Sequence, residues 1–339
     1  MTSSIFKVET VEHLNFLGHG LIASSILYCG IEMGLFNALG ESPKSTQQLE
    51  DELNLDTRAT LALLSPLAAM GLVEREEALW KNSAVSDKYL VKGNASYMGT
   101  YFAQTLYEGQ HKRMGRLLDV LKSGEPFGKE MVYGEEWRSR ARIVIPGQHE
   151  GSLATANYLM KKKILDLSKN KAFLDLGCGS GAYSIAACQT YPQLKACCVD
   201  FEEVLEVTKE FIEASGLSKR ITTQSLSYLH DPLPEGYDVI WFGGTLNGYS
   251  GKQIQKIMAK VYGVLPDGGQ LTLYDYFLYN DRTGPIFAAL MNINSFMGSS
   301  EAHYLTLGEM EQLLKEIGFR NVRHEPLINE MTWLFWADK

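Results

Sequence analysis

One segment of the sequence combines a short apolar run with three closely spaced glycines. Residues 173–181 read Phe-Leu-Asp-Leu-Gly-Cys-Gly-Ser-Gly, and the first half is typical of a buried strand. Glycine at Gly177, Gly179 and Gly181 lets the backbone turn tightly and approach a ligand where a Cβ atom would collide. A glycine turn between a strand and a helix predicts a loop that binds a nucleotide-containing cofactor.

Two cofactors fit the spacing of this loop. The letters from Gly177 to Ala182 satisfy the relaxed dinucleotide pattern G-x-G-x-x-G/A, and Asp200 ends the next predicted strand, where an acid that binds a ribose belongs. The spacing by itself does not exclude NAD. Asp175 and the compact third glycine favour S-adenosylmethionine, whose amino-acid end would lie on the loop without a pyrophosphate. A dehydrogenase would also need a hydride-transfer site, which the sequence does not reveal.

Composition limits the classes of partner. The chain has 339 residues, 45% hydrophobic and 21% charged, which is typical of a globular protein with about two domains. A net charge of -8 argues against a mainly electrostatic grip on nucleic acid or an anionic membrane. The five cysteines and the histidines show no metal-ligand spacing, so we predict no metal. Without a signal-peptide pattern or an apolar run of membrane-spanning length, we expect a cytoplasmic protein with a small-molecule partner.

The second half of the chain alternates strands with helices. From residue 172 onward the pattern predicts seven strands, and such alternation indicates an α/β fold with a doubly wound, mostly parallel, Rossmann-like sheet. Pro146 precedes a helix predicted to begin at about Glu150. We therefore predict a boundary there, between a domain of residues 1–145 and a domain of residues 146–339.

The first domain is mainly helical. Apolar residues recur at helical spacing from Val11 to Leu39 with few charges among them, and a second subunit would cover that surface. Two helices, at 46–53 and 57–70, precede a predicted hairpin, which is the pattern of a winged helix. A winged helix can bind DNA, but the second helix carries a single basic residue, Arg58, which argues against binding in a groove.

In combination these segments resemble one enzyme family. The run 173–181, Val199–Val204, Asp231–Asp238 and Leu265–Gly269, together with the winged helix, are similar to class I S-adenosylmethionine-dependent methyltransferases of the caffeic-acid and bacterial natural-product O-methyltransferase type. The resemblance covers nearly the whole chain. It implies a homodimer, formed through the N-terminal domain, that methylates a small aromatic or heteroaromatic acceptor, most readily at a hydroxyl oxygen.

The resemblance also implies roles for the cofactor site. The three loop glycines would form the floor beneath S-adenosylmethionine, with Asp175 beside its amino-acid end. Asp200 would accept hydrogen bonds from the ribose hydroxyls, and Phe201 would cover the adenine. Ser227, next to Tyr228, stands where the family has an acid that binds the adenine amino group, and Gly243 stands where the family has a lysine.

A departure from the family pattern lies after the strand that ends at Phe242. Asn247 occupies the position of the family's catalytic histidine, and Gly248 that of the following aspartate. An amide can donate and accept hydrogen bonds but cannot remove a proton near neutral pH. Base catalysis is worth about 10²- to 10⁴-fold, so transfer here would depend mainly on positioning. Methylation of carbon, cofactor binding without methyl transfer, and a cofactor-sensing regulator remain alternatives.

Further residues are candidates for the acceptor site. Related enzymes place a polar group on a later helix, where this chain has Asn292 or the nearby Asn294, so we predict an asparagine clamp with Asn247. Tyr249 could hydrogen-bond the acceptor or simply pack. The candidate bases are three histidines that lie outside this turn: His111, His149 and His303. Apolar side chains recur from Phe287 to Phe296 and predict a pocket for a flat acceptor.

Overall fold

The computed structural model describes residues 7–94, 96–127, 135–300, 302–327 and 330–339. Contacts divide the chain into two compact units, Met1–Met114 and Gly115–Lys339. No single helix in these ranges is long and apolar enough to span a membrane. The helices Val11–Gly18 and Gly20–Glu32 reach that length and apolarity only together, and they are bent by 55° at the break between them.

The first unit contains seven α-helices and a small sheet within its described residues. The helices are α1 Val11–Gly18, α2 Gly20–Glu32, α3 Leu35–Glu41, α4 Thr46–Leu53, α5 Thr57–Ala69, α6 Ala84–Leu90 and, after a π-helical segment at Tyr101–Glu108, α7 Gly109–Met114. The strands are β1 Lys44–Ser45, β2 Val73–Glu76 and β3 Leu79–Asn82, in the antiparallel order β1-β3-β2.

The winged-helix prediction is confirmed. Ser45 caps α4 in a reciprocal capping box with Gln48, and the Asp56 side chain accepts from the Ala59 N–H at the start of α5. The side chains of Leu49 and Leu64 pack with Phe36 and other residues in one buried cluster. In contrast, α1 has no buried residue, so its apolar face lies open to solvent in the single chain.

The second unit begins with two helices and then alternates. Its helices are α8 Leu117–Ser123, α9 Glu135–Lys161, α10 Ala182–Thr190, α11 Glu202–Ala214, α12 Gly251–Val264, α13 Ile286–Gly298 and α14 Leu307–Ile317, with a 3₁₀ turn at Leu246–Gly248. Its strands are β4 Ala172–Leu176, β5 Lys195–Asp200, β6 Ile221–Ser225, β7 Val239–Gly243, β8 Gln270–Asp275, β9 Arg320–Leu327 and β10 Thr332–Asp338.

These seven strands form one sheet, as predicted. The order is β6-β5-β4-β7-β8-β10-β9, with β10 antiparallel to both of its neighbours and the other pairs parallel. Central strands such as β4 and β7 are almost fully buried, because helices cover both faces of a doubly wound sheet. The carboxyl ends of β4, β5, β7 and β8 meet at one edge, which is where ligands bind in open α/β sheets.

The structure differs from the sequence prediction around Pro146. We predicted a helix start near Glu150, but α9 begins at Glu135 and continues through the proline. A proline removes one helical hydrogen bond, and packing of this helix compensates: Ala141 and Ile145 are buried with Val204 of α11. In the sequence, the division between the two compact units falls between Met114 and Gly115. The domain boundary that we place at residues 145 and 146 stays a prediction.

Candidate active site

The glycine loop follows β4 and has the backbone that its sequence requires. Gly177, Gly179 and Gly181 have φ angles of 71°, 54° and 71°, in the left-handed region that favours glycine. A Cβ at Gly177 would lie 2.4 Å from the Thr245 side chain, whereas a Cβ at Gly179 would meet nothing within 4 Å. The loop is therefore closely packed at its start and open at its centre, as a cradle for a ligand must be.

Asp200 ends β5 directly beside this loop. One of its carboxylate oxygens accepts the Gly179 N–H at 3.0 Å, and the other accepts the Phe201 N–H at 2.9 Å. Burial raises the pKa of Asp200 to about 6, although these two hydrogen bonds lower it. The acid predicted to bind a ribose is thus fixed to the loop itself, and Phe201 begins α11 next to it.

Asp175 lies inside the sheet, two residues before the loop. Its side chain is 1% exposed and accepts a hydrogen bond from the Ser184 hydroxyl at 2.7 Å. Burial raises the pKa of Asp175 to about 7, and the nearby Asp200 charge adds to the increase. A positive charge beside a buried carboxyl group lowers its pKa, so a bound cation would favour the ionised form of Asp175.

Asn247 lies in the 3₁₀ turn that follows β7, and a second acid holds this turn. Asp275 ends β8, is 2% exposed, and accepts the N–H groups of Leu246 at 2.9 Å and Tyr276 at 2.8 Å. The Asn247 side chain donates to the Gly244 carbonyl oxygen at 3.4 Å, and it lies near enough to the Asp275 carboxyl group to oppose the rise in the pKa of that group. Burial raises the pKa of Asp275 to about 6. Asp275 therefore fixes the backbone of the turn that carries Asn247, the amide at the position of the family's base.

Asp275 was missed by the sequence analysis, although a signal existed. It is an acid at the end of a buried strand, at the same edge of the sheet as Asp200, which is where functional residues gather in this fold. Thr245 was missed as well. Its hydroxyl is buried without a hydrogen-bond partner, beside Gly177. A buried polar atom without a partner at the edge of an open cradle fits a polar ligand that would complete its hydrogen bonding.

A compact apolar cavity lies beside Asn247. Its lining includes Asn247, Tyr276, His303 and Tyr304, and its volume is about 10 Å³, roughly the space of one water molecule. The structure thus brings His303 to the Asn247 turn, as one of the candidate bases. An aromatic acceptor would need this cavity to widen.

Ser227 and Tyr228, which we predict to lie near the adenine, and Gly243 all contact other residues of the protein. The Ser227 N–H donates to Asp231 at 2.8 Å, and the buried Tyr228 ring lies edge-on to Phe242 at 5.1 Å. A Cβ at Gly243 would lie 2.7 Å from the indole nitrogen of Trp241, so the lysine of the family could not stand here without displacing that ring. Cofactor contacts by these three residues stay predictions.

Tyr249 and Asn292, the next two predicted catalytic residues, make contacts within the protein. The Tyr249 ring packs edge-on to Tyr228, 5.7 Å away. The Asn292 oxygen accepts the Tyr304 N–H at 2.9 Å, and its helix contacts the turn of Asn247. A clamp by both asparagines stays a prediction.

His149 is placed differently from the prediction of a base. Its ring is buried and stacks on Phe211 at 3.8 Å, and burial lowers its pKa. Phe211 lies ten residues after Phe201 on α11, which is about 15 Å along the helix axis. His149 therefore lies towards the opposite edge of the sheet from Asp200, because α11 runs away from that edge. Its position does not suit proton transfer from an acceptor at Asn247.

Comparison with known protein families identifies the architecture. Residues 131–320 match the O-methyltransferase domain, and residues 16–92 match the O-methyltransferase dimerisation domain. The chain belongs to the O-methyltransferase family. It is accordingly an S-adenosylmethionine-dependent methyltransferase, which confirms the cofactor and the enzyme class predicted from the sequence.

Members of this family that resemble the chain act on different atoms. A 3-hydroxy-5-methyl-1-naphthoate 3-O-methyltransferase from Streptomyces sahachiroi is 30% identical over 91% of this chain and 90% of its own. The N,N-dimethyltransferase OxyT from Streptomyces rimosus is 26% identical over 92% of both chains. Human N-acetylserotonin methyltransferase, solved with S-adenosylmethionine, has the same fold, with a TM-score of 0.80 at 22% identity over 98% of this chain and 99% of its own.

The residues at the sheet edge of this methyltransferase fit the cofactor. S-adenosylmethionine supplies an electrophilic methyl group on a positively charged sulfur. Gly179 offers an open cradle, Asp200 has two acceptor oxygens suited to ribose hydroxyls, and the unpartnered Thr245 hydroxyl faces the start of the loop. The raised pKa of Asp175 fits an acid that becomes charged opposite a cation.

Asp175→Asn is expected to stabilise the cofactor-free enzyme while weakening its cofactor binding. Because the pKa of Asp175 is about 7 in the folded protein and near 3.8 in its ordinary state, the folded protein binds more protons between these values. Its stability therefore falls as pH rises through this window. At pH 8 the variant should gain roughly 5 °C in Tm, and at pH 4 it should gain little.

Differential scanning fluorimetry from pH 4 to pH 8 measures this effect, and titration calorimetry measures the affinity for S-adenosylmethionine. Asp267→Asn, at an exposed aspartate in the turn before β8, is the matched control. If Asp175→Asn lost Tm at every pH, as a variant with a broken hydrogen bond would, the burial argument would be wrong.

Proposed function

We propose that this enzyme methylates a hydroxyl oxygen of a small aromatic or heteroaromatic acceptor, and that Asn247 orients the acceptor rather than removing its proton. The observation that carries this proposal is the turn at Leu246–Gly248, where the buried carboxyl group of Asp275 holds the backbone beside a neutral amide that lines an apolar cavity. A neutral, fixed donor and acceptor suits a hydroxyl that must be held in one orientation.

The groups around Asn247 support an acceptor that is flat and mostly apolar. Leu246, Phe277 and Tyr304 contribute apolar surface to the cavity, and α13 adds apolar side chains near the same turn. Aromatic acceptors bind in such sites through burial of their rings, with few polar contacts to set orientation. The naphthoate acceptor named for the Streptomyces sahachiroi relative belongs to this class.

Positioning alone can supply much of the rate. Well-oriented reactants reach effective molarities of about 10⁵ to 10⁸ M, provided the reacting atoms are held roughly 3 to 3.5 Å apart. Asp275 contributes here by restricting the turn through the Leu246 and Tyr276 N–H groups. Asn292 lies on a helix that contacts this turn, but its oxygen accepts the Tyr304 N–H, so Asn247 is the asparagine proposed to hold the acceptor.

Methylation of a ring carbon is the second candidate. Asn247 favours it as well, since a nucleophilic carbon does not require a base at that position before the new bond forms. The two candidates differ in the product, because an aryl methyl ether and a ring methyl group have distinct chemical shifts.

Methyl transfer from isotope-labelled S-adenosylmethionine tests the proposal. Purified enzyme is incubated with naphthols, hydroxyquinolines and hydroxynaphthoates, S-adenosylhomocysteine is quantified, and the methylated product is characterised by NMR. We expect S-adenosylhomocysteine in equal amount to an O-methyl ether. Methyl on carbon or nitrogen would contradict transfer to oxygen, and the absence of S-adenosylhomocysteine with all acceptors would contradict transfer to this class.

We also propose that the enzyme is a homodimer that forms through its N-terminal unit. The match to a dimerisation domain supports this, as do the apolar side chains of α1 and α2 that lie exposed in the single chain. Leu14, Leu17 and Leu21 are 58%, 65% and 60% exposed, and apolar groups in such a row are normally covered by another protein surface.

The double substitution Leu17→Glu/Leu21→Glu is expected to shift the enzyme from dimer to monomer. Two carboxylates on the proposed interface would each lose solvation on association without gaining a partner, at a cost of several kcal/mol. Size-exclusion chromatography with light scattering measures the mass. Val85→Glu, at a position 60% exposed on α6, is the matched control and should remain dimeric. A dimeric double variant would show that the interface lies elsewhere.

A further inference from the structure

We propose that His303 receives the proton of the acceptor hydroxyl during methyl transfer, and that Asn292 is the positioning residue that holds His303 at the Asn247 turn. This assignment rests on the proposed O-methyl transfer. In this assignment the base is His303, which lies later in the chain than the position of the family's catalytic histidine. Asn247 occupies that position here.

The cavity beside Asn247 has a histidine in its lining, at the place where we propose that the acceptor hydroxyl lies. His303 lines this cavity together with Asn247, Tyr276 and Tyr304. Of the described side chains in the lining, His303 carries an imidazole, the side-chain group that most often serves as a general base in enzymes. An amide does not accept a proton near neutral pH, and phenols such as those of Tyr276 and Tyr304 ordinarily keep theirs.

The imidazole ring lies against the helix that follows the Asn247 turn. A Cβ at Gly251, the first residue of α12, would lie 3.8 Å from both Cε1 and Nε2 of His303. The ring therefore approaches the chain four residues after Asn247. His303 is also exposed to solvent, so a proton taken from the cavity can leave to water.

The segment that carries His303 is hydrogen-bonded to two other parts of the unit. On one side, the Asn292 oxygen of α13 accepts the N–H of Tyr304, the next residue, at 2.9 Å. On the other side, Leu278, shortly after β8, donates to the Leu305 carbonyl at 3.1 Å and accepts the Leu307 N–H at 2.9 Å. A polar group on α13 thus fixes the backbone next to His303, which gives Asn292 a role that its sequence position did not reveal.

The chemical step balances with these groups. The acceptor oxygen forms a bond to the methyl carbon while the carbon–sulfur bond breaks, and the electron pair of that bond returns to the sulfur. The hydroxyl proton moves to an imidazole nitrogen of His303, directly or through one water molecule, and then to solvent. Asn247 holds the acceptor oxygen during this transfer, so that orientation and proton removal are carried by two different residues.

Substitution of His303 tests this assignment through the acidity of the acceptor. The probes are naphthols that run from unsubstituted to nitro-substituted, and so from weakly to strongly acidic hydroxyls. With unsubstituted naphthol, His303→Gln should lower kcat by about 10²- to 10⁴-fold without changing the affinity for S-adenosylmethionine. The loss should shrink with acidic naphthols, which need no base. Added imidazole should restore part of the rate of His303→Ala.

Two further variants separate a chemical role from a structural one. His324→Gln, at a half-buried histidine of the outer strand β9, is the matched control and should keep the wild-type rate. Asn292→Leu should reproduce the dependence on acceptor acidity in weaker form, while Asn292→Asp, which keeps an oxygen for the Tyr304 N–H, should retain most of the rate.

A His303→Gln enzyme with wild-type kcat for every naphthol would contradict the role of His303 as the base and would leave the proposed O-methyl transfer standing. So would an equal loss for all naphthols without rescue by imidazole, because that result indicates a structural role. If the wild-type enzyme formed no S-adenosylhomocysteine with any acceptor, the proposed function would fail and this assignment with it.

Discussion

Replacement of Asp200 by alanine is expected to weaken the binding of S-adenosylmethionine by about 10²-fold, since hydrogen bonds to a charged group contribute roughly 1.5 to 3 kcal/mol each. The variant loses the two oxygens that would bind the ribose. It also loses the hydrogen bond that ties β5 to the Gly179 N–H, so the cradle itself becomes less ordered.

Titration calorimetry of the purified variant with S-adenosylmethionine measures this loss, and circular dichroism checks that the fold is intact. Asp267→Ala, at an exposed aspartate outside the sheet edge, should bind like the wild type. Wild-type affinity in a folded Asp200→Ala enzyme would show that this acid does not bind the cofactor.

Replacement of Asn247 by alanine is expected to lower kcat by about 10²-fold, because a misplacement of about 1 Å in the reacting groups costs that much. The affinity for S-adenosylmethionine should stay within about twofold of the wild type, since Asn247 is assigned to the acceptor. Unlike the loss caused by His303→Gln, this loss should be similar for weakly and strongly acidic naphthols. The amide orients the oxygen whatever its acidity.

Single-turnover rates with excess enzyme separate this effect from product release. Asn170→Ala, before β4, provides a matched control for the loss of an asparagine side chain. An Asn247→Ala enzyme with unchanged single-turnover rate would contradict the role of the amide, and a large loss of cofactor affinity would move Asn247 to the cofactor site.

The sequence was sufficient for the fold because local patterns and global topology agree. The run before Gly177 is apolar enough to be a buried strand, the glycines stand where the backbone is left-handed, and Asp200 ends the neighbouring strand as predicted. Strand and helix alternation then restricts the sheet to a few topologies. The helix start predicted near Glu150 was wrong, because burial of Ala141 and Ile145 offsets the one hydrogen bond that Pro146 removes from α9.

The acceptor site could be predicted only in part, because it depends on contacts between distant segments. Nothing near Asn247 in the chain indicates that Asp275, at the end of β8, holds the backbone of its turn. The lysine missing at Gly243 is explained by the indole of Trp241, two residues earlier on the same face of β7. His303 and His149 were equal candidates for the base from the sequence, and only the fold places His303 at the Asn247 turn and stacks His149 on Phe211.

A crystal structure of the enzyme with S-adenosylhomocysteine and a naphthol acceptor tests the role of Asn247 most directly. We predict that the acceptor hydroxyl lies within about 3 Å of the Asn247 amide and points towards the sulfur of the cofactor product. We also predict that Asp275 still holds the turn. An acceptor oxygen bound away from Asn247, with the amide directed only at the Gly244 carbonyl, would contradict the account.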